Sequence, residues 1–232
     1  MSKFEYTIGK EVNLKEEWKK TLQGKELHSN FILRFMYLAM DIIYGKGREI
    51  DKFLVIEILA RYPYWAWETG SYLRLTRQYA GPEYTKKSNF EDAWHHIDIA
   101  RKSQDNEQWH MCILEDLMRQ RGMKRNFLMH FILPRFLAFG YYFLTRIMYR
   151  IQPSWSFDMN TRFESHAEWE YAKAVEDHPQ WEEEEIDTEY FEYYPNVKTL
   201  ADLFRRISLD ERDHKFESWE EYERITGREF KP

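Results

Sequence analysis

Two segments of the chain, Glu107-Gln-Trp-His110 and Glu211-Arg-Asp-His214, repeat one spacing. Three residues is just under one turn of an α-helix, so each pair points its carboxylate and its imidazole the same way. Two further glutamates stand singly in largely apolar surroundings. Glu57 lies in Phe53-Leu-Val-Ile-Glu-Ile-Leu-Ala, and Glu164 in Arg162-Phe-Glu-Ser-His-Ala. A charge inside an apolar face is costly unless it is paired or bound to a metal. The order is single Glu, pair, single Glu, pair, at intervals of roughly 50 residues. A Glu-rich chain of this length holds about one Glu-x-x-His by chance, so order and position carry the signal rather than the pairs alone. Such a layout predicts four helices that turn six polar side chains toward one another. The competing reading is surface ion pairs with His110 and His214 in solvent.

Composition agrees with a helical chain. Gly and Pro number only 9 and 7 in 232 residues, and aromatic residues make up 18%. That favours long helices and a sizeable core over a turn-rich β fold. Periodicity and breakers predict helices over 29–44, 50–79, 89–121, 124–151, 153–177 and 197–218. The stretch 178–195 is acidic and aromatic, and Glu182 to Glu185 within it reads as a solvated loop. The tail 219–232 reads as polar and irregular. One domain is expected, with its core over about 50–218 and with 1–28 and 219–232 as peripheral extensions. A net charge of −6 argues against nucleic acid as a partner. Cys112 is the lone cysteine, which excludes an internal disulfide and a thiolate metal site. The first 18 residues are charged throughout and resemble neither a signal nor a transit peptide.

Two of these helices are apolar nearly all round. In 29–44, Asn30, Arg34 and Asp41 share one face and almost everything else is apolar. In 124–151, Lys124, Arg135 and Arg146 recur every eleven residues, close to three turns, and make a narrow basic stripe. Such helices are either deeply buried or in contact with lipid. The stripe suits a helix lying in a membrane interface, with cationic tips at the headgroups; two core helices of a bundle are the alternative. With no run of about 18 uncharged apolar residues, no transmembrane helix is expected.

Other acidic and imidazole groups compete for attention. His95 and His96 are read as structural or exposed. Glu68, eleven residues after Glu57, is a substitute ligand if the register is shifted. His166, beside Glu164, is read as supporting a ligand rather than being one. His28, His130 and His178 are read as structural or interfacial.

Taken together, these residues resemble the alternative oxidases and, among them, the plastid terminal oxidase branch. Glu57-Ile-Leu-Ala-Arg-Tyr-Pro-Tyr64 is similar to the family's first motif. Asn106-Glu-Gln-Trp-His and Asp210-Glu-Arg-Asp-His are similar to the second and last. Glu164-Ser-His-Ala, with Tyr171 seven residues after the glutamate, is similar to the plastid-type third motif. The likeness runs from about Asp51 to Ser218. Two departures stand out. Lys52 takes the place of an arginine that the family usually has at its quinol site, which keeps the charge but loses the forked geometry. Phe157 takes the place of a histidine found in the alternative oxidases proper.

The resemblance implies an all-α, ferritin-like four-helix bundle with a di-iron centre and two membrane-interfacial helices. It implies two Fe ions held by Glu57, Glu107, His110, Glu164, Glu211 and His214, with Asn106, Asp210 and His166 around them. It implies a monotopic enzyme on a thylakoid or plasma membrane that oxidises plastoquinol or ubiquinol and reduces O2 to water. Tyr171 is the expected redox-active tyrosine, Lys52 the expected quinol-binding residue, and a homodimer the expected assembly. A soluble di-iron oxygenase and a metal-free membrane-surface protein are the alternatives.

Overall fold

A computed structural model describes residues 2–78 and 86–232. It contains seven α-helices: α1 (Leu14–Gln23), α2 (Phe31–Tyr44), α3 (Ile50–Gln78), α4 (Lys87–Gln120), α5 (Leu133–Ile151), α6 (Pro153–Asp177) and α7 (Leu200–Thr226). No strand occurs among the described residues, only an isolated bridge between Glu185 and Thr199. The chain is all-α.

Caps explain several helix ends. Asn30 accepts a hydrogen bond from Leu33 N at 3.0 Å and starts α2. Thr199 accepts from Asp202 N at 3.2 Å and starts α7. Gly227, at φ +63°, takes the left-handed conformation that closes α7. That cap lies nine residues beyond the expected end at Ser218. Trp219, Glu223 and Phe230 are tied together there: Trp219 Nε1 and Phe230 N both donate to Glu223, and Phe230 is buried. The tail therefore continues the helix and then folds back on it, a tertiary arrangement that its polar composition hides. The expected end of α3 at Tyr79 falls outside the described residues.

Two further departures have local causes. Residues 124–126 are not helical; Asn126 caps the next segment by accepting from Leu128 N and Met129 N at 3.0 and 3.1 Å. A π-helical turn, Leu128–Ile132, then leads into α5. Pro134 follows it and has no N–H for the carbonyl four residues back, so the wider turn sits where the α-helical ladder would break. The N-terminal region forms α1 because Asn13 caps it and because Trp18 Nε1 reaches Ala172 O at 2.8 Å.

Side-chain pairs set the directions of the helices. Between α3 and α6, Glu57 meets Tyr171 and Tyr64 meets Glu164, so residue numbers rise on one helix as they fall on the other. Arg61 with Gln108 and Arg74 with Asp92 place α3 against α4 in the same sense. Ser208 with Glu168, and Ser218 with Asn160, do so for α6 and α7. Ser103 with Glu217, and His110 with Asp210, do so for α4 and α7. Thus α3, α4, α6 and α7 form an antiparallel four-helix bundle.

Two apolar layers lie along the bundle. One gathers Phe53, Leu114, Tyr171, Phe204 and Ile207. The other gathers Tyr64, Trp67, Ala100 and Phe157. Glu57, Glu107 and Glu164 each sit between these layers on their own helices. On the outside, α5 crosses α3 closely: a Cβ on Gly70 would lie 2.8 Å from the Tyr149 ring. Leu33 and Met40 of α2 pack with Val55, Leu59, Ala138 and Phe163. The opposite sides of these two outer elements are bare. Phe31 and Ile42 of α2 are 84% and 76% exposed, and Phe143 of α5 is 58% exposed. Leu128–Ile151 is long and apolar enough to cross a membrane by length and composition, and only 22% of its most apolar window is buried.

Residues 178–195 are more ordered than a solvated acidic loop. Glu182 pairs with buried Arg205, and Glu184 pairs with Arg121 while its carbonyl accepts from Leu200 N at 2.9 Å. Trp181 and Tyr194 from this stretch are buried.

Candidate metal centre

Six side chains from four helices meet in the polar layer. Glu57 comes from α3, Glu107 and His110 from α4, Glu164 from α6, and Glu211 and His214 from α7. All six are at most 1% exposed. They form two overlapping groups: Glu57, Glu107, His110 and Glu211; and Glu107, Glu164, Glu211 and His214. Within each group the candidate ligand atoms lie within 4.8 Å of one another. Glu107 and Glu211 belong to both.

The atoms that face inward lack hydrogen-bond partners. These are Glu57 Oε2, Glu164 Oε2, both oxygens of Glu107 and of Glu211, and Nδ1 of both histidines. His110 Nδ1 stands 3.3 Å from Glu57 Oε2 and 3.4 Å from Glu211 Oε1, and His214 Nδ1 stands 2.9 Å from Glu107 Oε1. Buried polar atoms are normally satisfied, so this concentration of orphans at one point asks for a cation. Charge agrees. Four carboxylates around two neutral imidazoles are balanced by two divalent ions, and the oxygen and nitrogen donors suit iron or manganese. The residues present fit a di-iron group.

The protonation tendencies of the metal-free side chains make the same point. Burial and the neighbouring charge of Glu107 push the Glu57 carboxyl well above the usual range. Burial, with Glu211 and Glu107 nearby, does the same to Glu164. Burial also opposes the charge on Glu107, but its contacts with His110 and His214 outweigh this and hold it low. Protons thus crowd into a space where cations could replace them.

Three outward atoms are anchored, whereas His214 Nε2 has no hydrogen-bond partner. Glu57 Oε1 accepts from the Tyr171 hydroxyl. Glu164 Oε1 accepts from Tyr64 at 2.7 Å and from Asn160 Nδ2 at 3.0 Å. His110 Nε2 bonds Asp210 Oδ2 at 3.1 Å, which leaves Nδ1 for the interior. Asp210 is itself held by Tyr194 at 2.6 Å, Arg206 Nε at 3.0 Å and Asn106 Nδ2 at 3.4 Å. Burial disfavours its charge, but His110 and Arg206 bring its carboxyl down to about 2.

Beside the cluster, under α2 and α5, lies a mainly apolar cavity of about 470 Å3. Met36, Ile56, Tyr141, Phe163 and Tyr171 line it, as does Lys52. Lys52 is 7% exposed, and its Nζ donates to Asp41 Oδ1 at 2.7 Å and to Gly45 O at 2.9 Å. Tyr171 therefore touches both spaces: its hydroxyl is on Glu57 and its ring is on the cavity wall.

His166 also lines the cavity. Its Nδ1 pairs with Glu26 at 2.7 Å and its ring stacks on Tyr37, so it sits on the cavity side of α6 rather than bonding one of the six. Glu68 faces outward to Arg101 at 2.8 Å. His96 is buried but distant in sequence register, held by Tyr149 and by Glu221. Sequence reading assigned no role to Tyr64, Asn160, Tyr194 or Arg206. Tyr64 and Asn160 carry a usable signal, since one follows Glu57 by the spacing that separates Tyr171 from Glu164, and the other precedes Glu164 by one helical turn. Tyr194 has none, because it arrives from a loop.

Against known families, a model described as alternative oxidase matches residues 9–220. No curated protein and no solved structure matches the chain.

Proposed function

The chain belongs to the alternative oxidase family, and from that premise we propose that it is a membrane-surface quinol oxidase that reduces O2 to water. The observation that carries the reading is the position of Tyr171, between a cluster of unpartnered buried ligand atoms and an apolar cavity. Glu57 and His110 would hold one iron and Glu164 and His214 the other, with Glu107 and Glu211 bridging. Iron bound there supplies the redox couple and the binding position for O2. Two quinols deliver the four electrons that convert one O2 to two waters.

The chain's own residues have separable tasks. The apolar walls accept a quinone-type ring and tail and keep bulk water out. Burial, with Glu57 and Glu211 nearby, holds the Tyr171 phenol well above its usual pKa, so it keeps its proton until it gives up an electron. Glu57 Oε1, already bonded to that hydroxyl, is placed to take the proton. Asp210 fixes the His110 ring, and Arg206 and Tyr194 fix Asp210. Lys52 sets a cationic, hydrogen-bonding tip at the cavity while anchored to Asp41. The exposed aromatic faces of α2 and of Leu128–Ile151 would lie in the lipid interface, which lets a quinol enter the cavity from the bilayer. The Arg135 guanidinium lies over the Phe131 ring at 3.6 Å, within that face. The quinol is plastoquinol or ubiquinol, and the Lys52 replacement bears on the choice between them. A homodimer is proposed on the resemblance alone.

The test is O2 consumption with a panel of quinols, run alongside iron analysis on the wild type and on Glu107→Ala. Quinol-driven uptake that is lost with Glu107 supports the reading. Iron-loaded wild type that consumes no O2 with any quinol overturns it. Turnover without membrane or quinol would instead favour a soluble di-iron oxygenase.

A further inference from the structure

Glu57 and Glu164 look equivalent in sequence, but their surroundings differ. Each is followed seven residues later by a tyrosine, Tyr64 and Tyr171 respectively. Because α3 and α6 run antiparallel, the tyrosines cross over: Tyr171 bonds Glu57 and Tyr64 bonds Glu164. The symmetry stops there. Glu57 Oε1 accepts one side-chain hydrogen bond, from Tyr171. Glu164 Oε1 accepts two, from Tyr64 and from Asn160.

We propose that Tyr64 and Asn160 lock Glu164 to its metal ion through the single oxygen Oε2, making the Glu164 half of the centre rigid and leaving Glu57 as the carboxylate free to change its mode of binding. This rests on the di-iron reading above. A carboxylate oxygen offers two lone-pair directions in its plane, and two donors at Glu164 Oε1 occupy both. Glu164 Oε2 has no partner and faces the cluster. At Glu57, one lone-pair direction of Oε1 remains.

The lock is itself held in place. Tyr64 is 1% exposed, and its ring meets Trp67 edge-on at 5.2 Å and His214 at 5.6 Å. Trp67 is pinned by Nε1 on Ser156 Oγ at 3.1 Å and by Phe157 at 4.3 Å. Asn160 lies fully buried, and its Nδ2 also reaches Ser218 Oγ on α7 at 3.0 Å and Tyr64 Oη at 3.2 Å. Donors from α3 and α6 therefore meet at one oxygen of Glu164, and α7 holds Asn160 through Ser218. Phe157, where the alternative oxidases proper carry a histidine, belongs to this support. Tyr64 and Asn160 are positioning residues: neither lines the quinol cavity, and both act through Glu164.

The test uses purified protein loaded with 57Fe, Tyr64→Phe and Asn160→Ser variants, and Mössbauer spectra of the reduced state beside iron titrations. Wild type should bind two ions and give two resolvable ferrous sites. Tyr64→Phe should shift the signal of one site, leave the other in place, and weaken one of the two ions by about 10- to 100-fold. Asn160→Ser should move the same site by less. Tyr171→Phe should move the other site. Wild type that binds no iron would overturn the di-iron reading itself. Two bound ions with a Tyr64→Phe spectrum superimposable on wild type would overturn the lock alone. If Tyr64→Phe does not fold, Asn160→Ser decides between the same two results.

Discussion

The Tyr171 hydroxyl donates to Glu57 across the gap between α6 and α3, from a ring that also lines the apolar cavity. Removing the hydroxyl should separate chemistry from structure. Tyr171→Phe keeps the ring packing against Phe53 and Phe204, so thermal stability should fall by no more than about 1–2 kcal/mol for one lost buried hydrogen bond. Quinol-dependent O2 uptake should fall at least tenfold with KM little changed, the result required by the proposed roles of the phenol in the reaction and of the cavity in binding quinol. Steady-state kinetics and a melting curve on the same preparation check both halves.

Iron stoichiometry should distinguish shared ligands from unshared ones. Glu107 and Glu211 occur in both ligand groups, whereas Glu57 and Glu164 occur in one each. Glu107→Ala should therefore bind little or no iron, and Glu57→Ala should retain about one ion per chain with weakened affinity. Metal analysis after dialysis against a mild chelator reads the difference. Equal iron in the two variants would count against the bridging assignment.

Stripping the metal should expose a pH-dependent stability with a definite sign. In the metal-free fold, burial raises the pKa of Glu57 and Glu164 above their ordinary value of 4.5. The folded state then holds protons that the unfolded state has released, so stability falls as pH rises above about 4.5. His110 and His214 act in the same direction. Burial disfavours their charge, but nearby Tyr194 and Asp210 raise the pKa of His110 and contacts with Glu107 and Glu211 raise that of His214, so their contribution is present below about 6.5 and lost as pH rises through the folded values. Apo protein should melt at progressively lower temperature between about pH 5 and 8. Iron-loaded protein should show a flatter profile, because cations replace those protons.

The outer apolar face should govern membrane attachment and little else. Phe31 and Phe143 are 84% and 58% exposed and stand outside the cavity lining, so Phe31→Glu and Phe143→Glu leave the cavity walls in place. Burying a phenylalanine in the lipid interface contributes about 1.5–3 kcal/mol, so each variant should bind vesicles at least tenfold more weakly. The melting temperature and iron content should stay at wild-type values. Vesicle co-sedimentation unchanged in both variants would sink the membrane assignment of this face.

Much of this was legible in the sequence because helical spacing is a local property. Glu107 with His110, and Glu211 with His214, must share a face wherever their helices go. Glu57 and Glu164 stand out because an apolar run advertises any charge placed inside it. The apolar α2 and α5 were recognisable by the same rule. What failed did so where the decisive partner was remote. Glu183 and Glu185 are exposed as a solvated loop requires, but Glu182 and Glu184 meet Arg205 and Arg121, and the polar tail is ordered because Phe230 folds back on Trp219.

The sequence by itself determined which six side chains can gather and that four helices must carry them. Only the tertiary structure decided which partner each one keeps. The seven-residue step from Glu57 to Tyr64 is the same as that from Glu164 to Tyr171, and nothing local says that each tyrosine serves the other's glutamate. That crossing depends on the antiparallel register of α3 and α6, which is set by packing along both helices. The same register brings Asn160 to Glu164, and a folded loop brings Tyr194 to Asp210. Periodicity fixes a side chain's face, but only the assembled bundle fixes what that face meets.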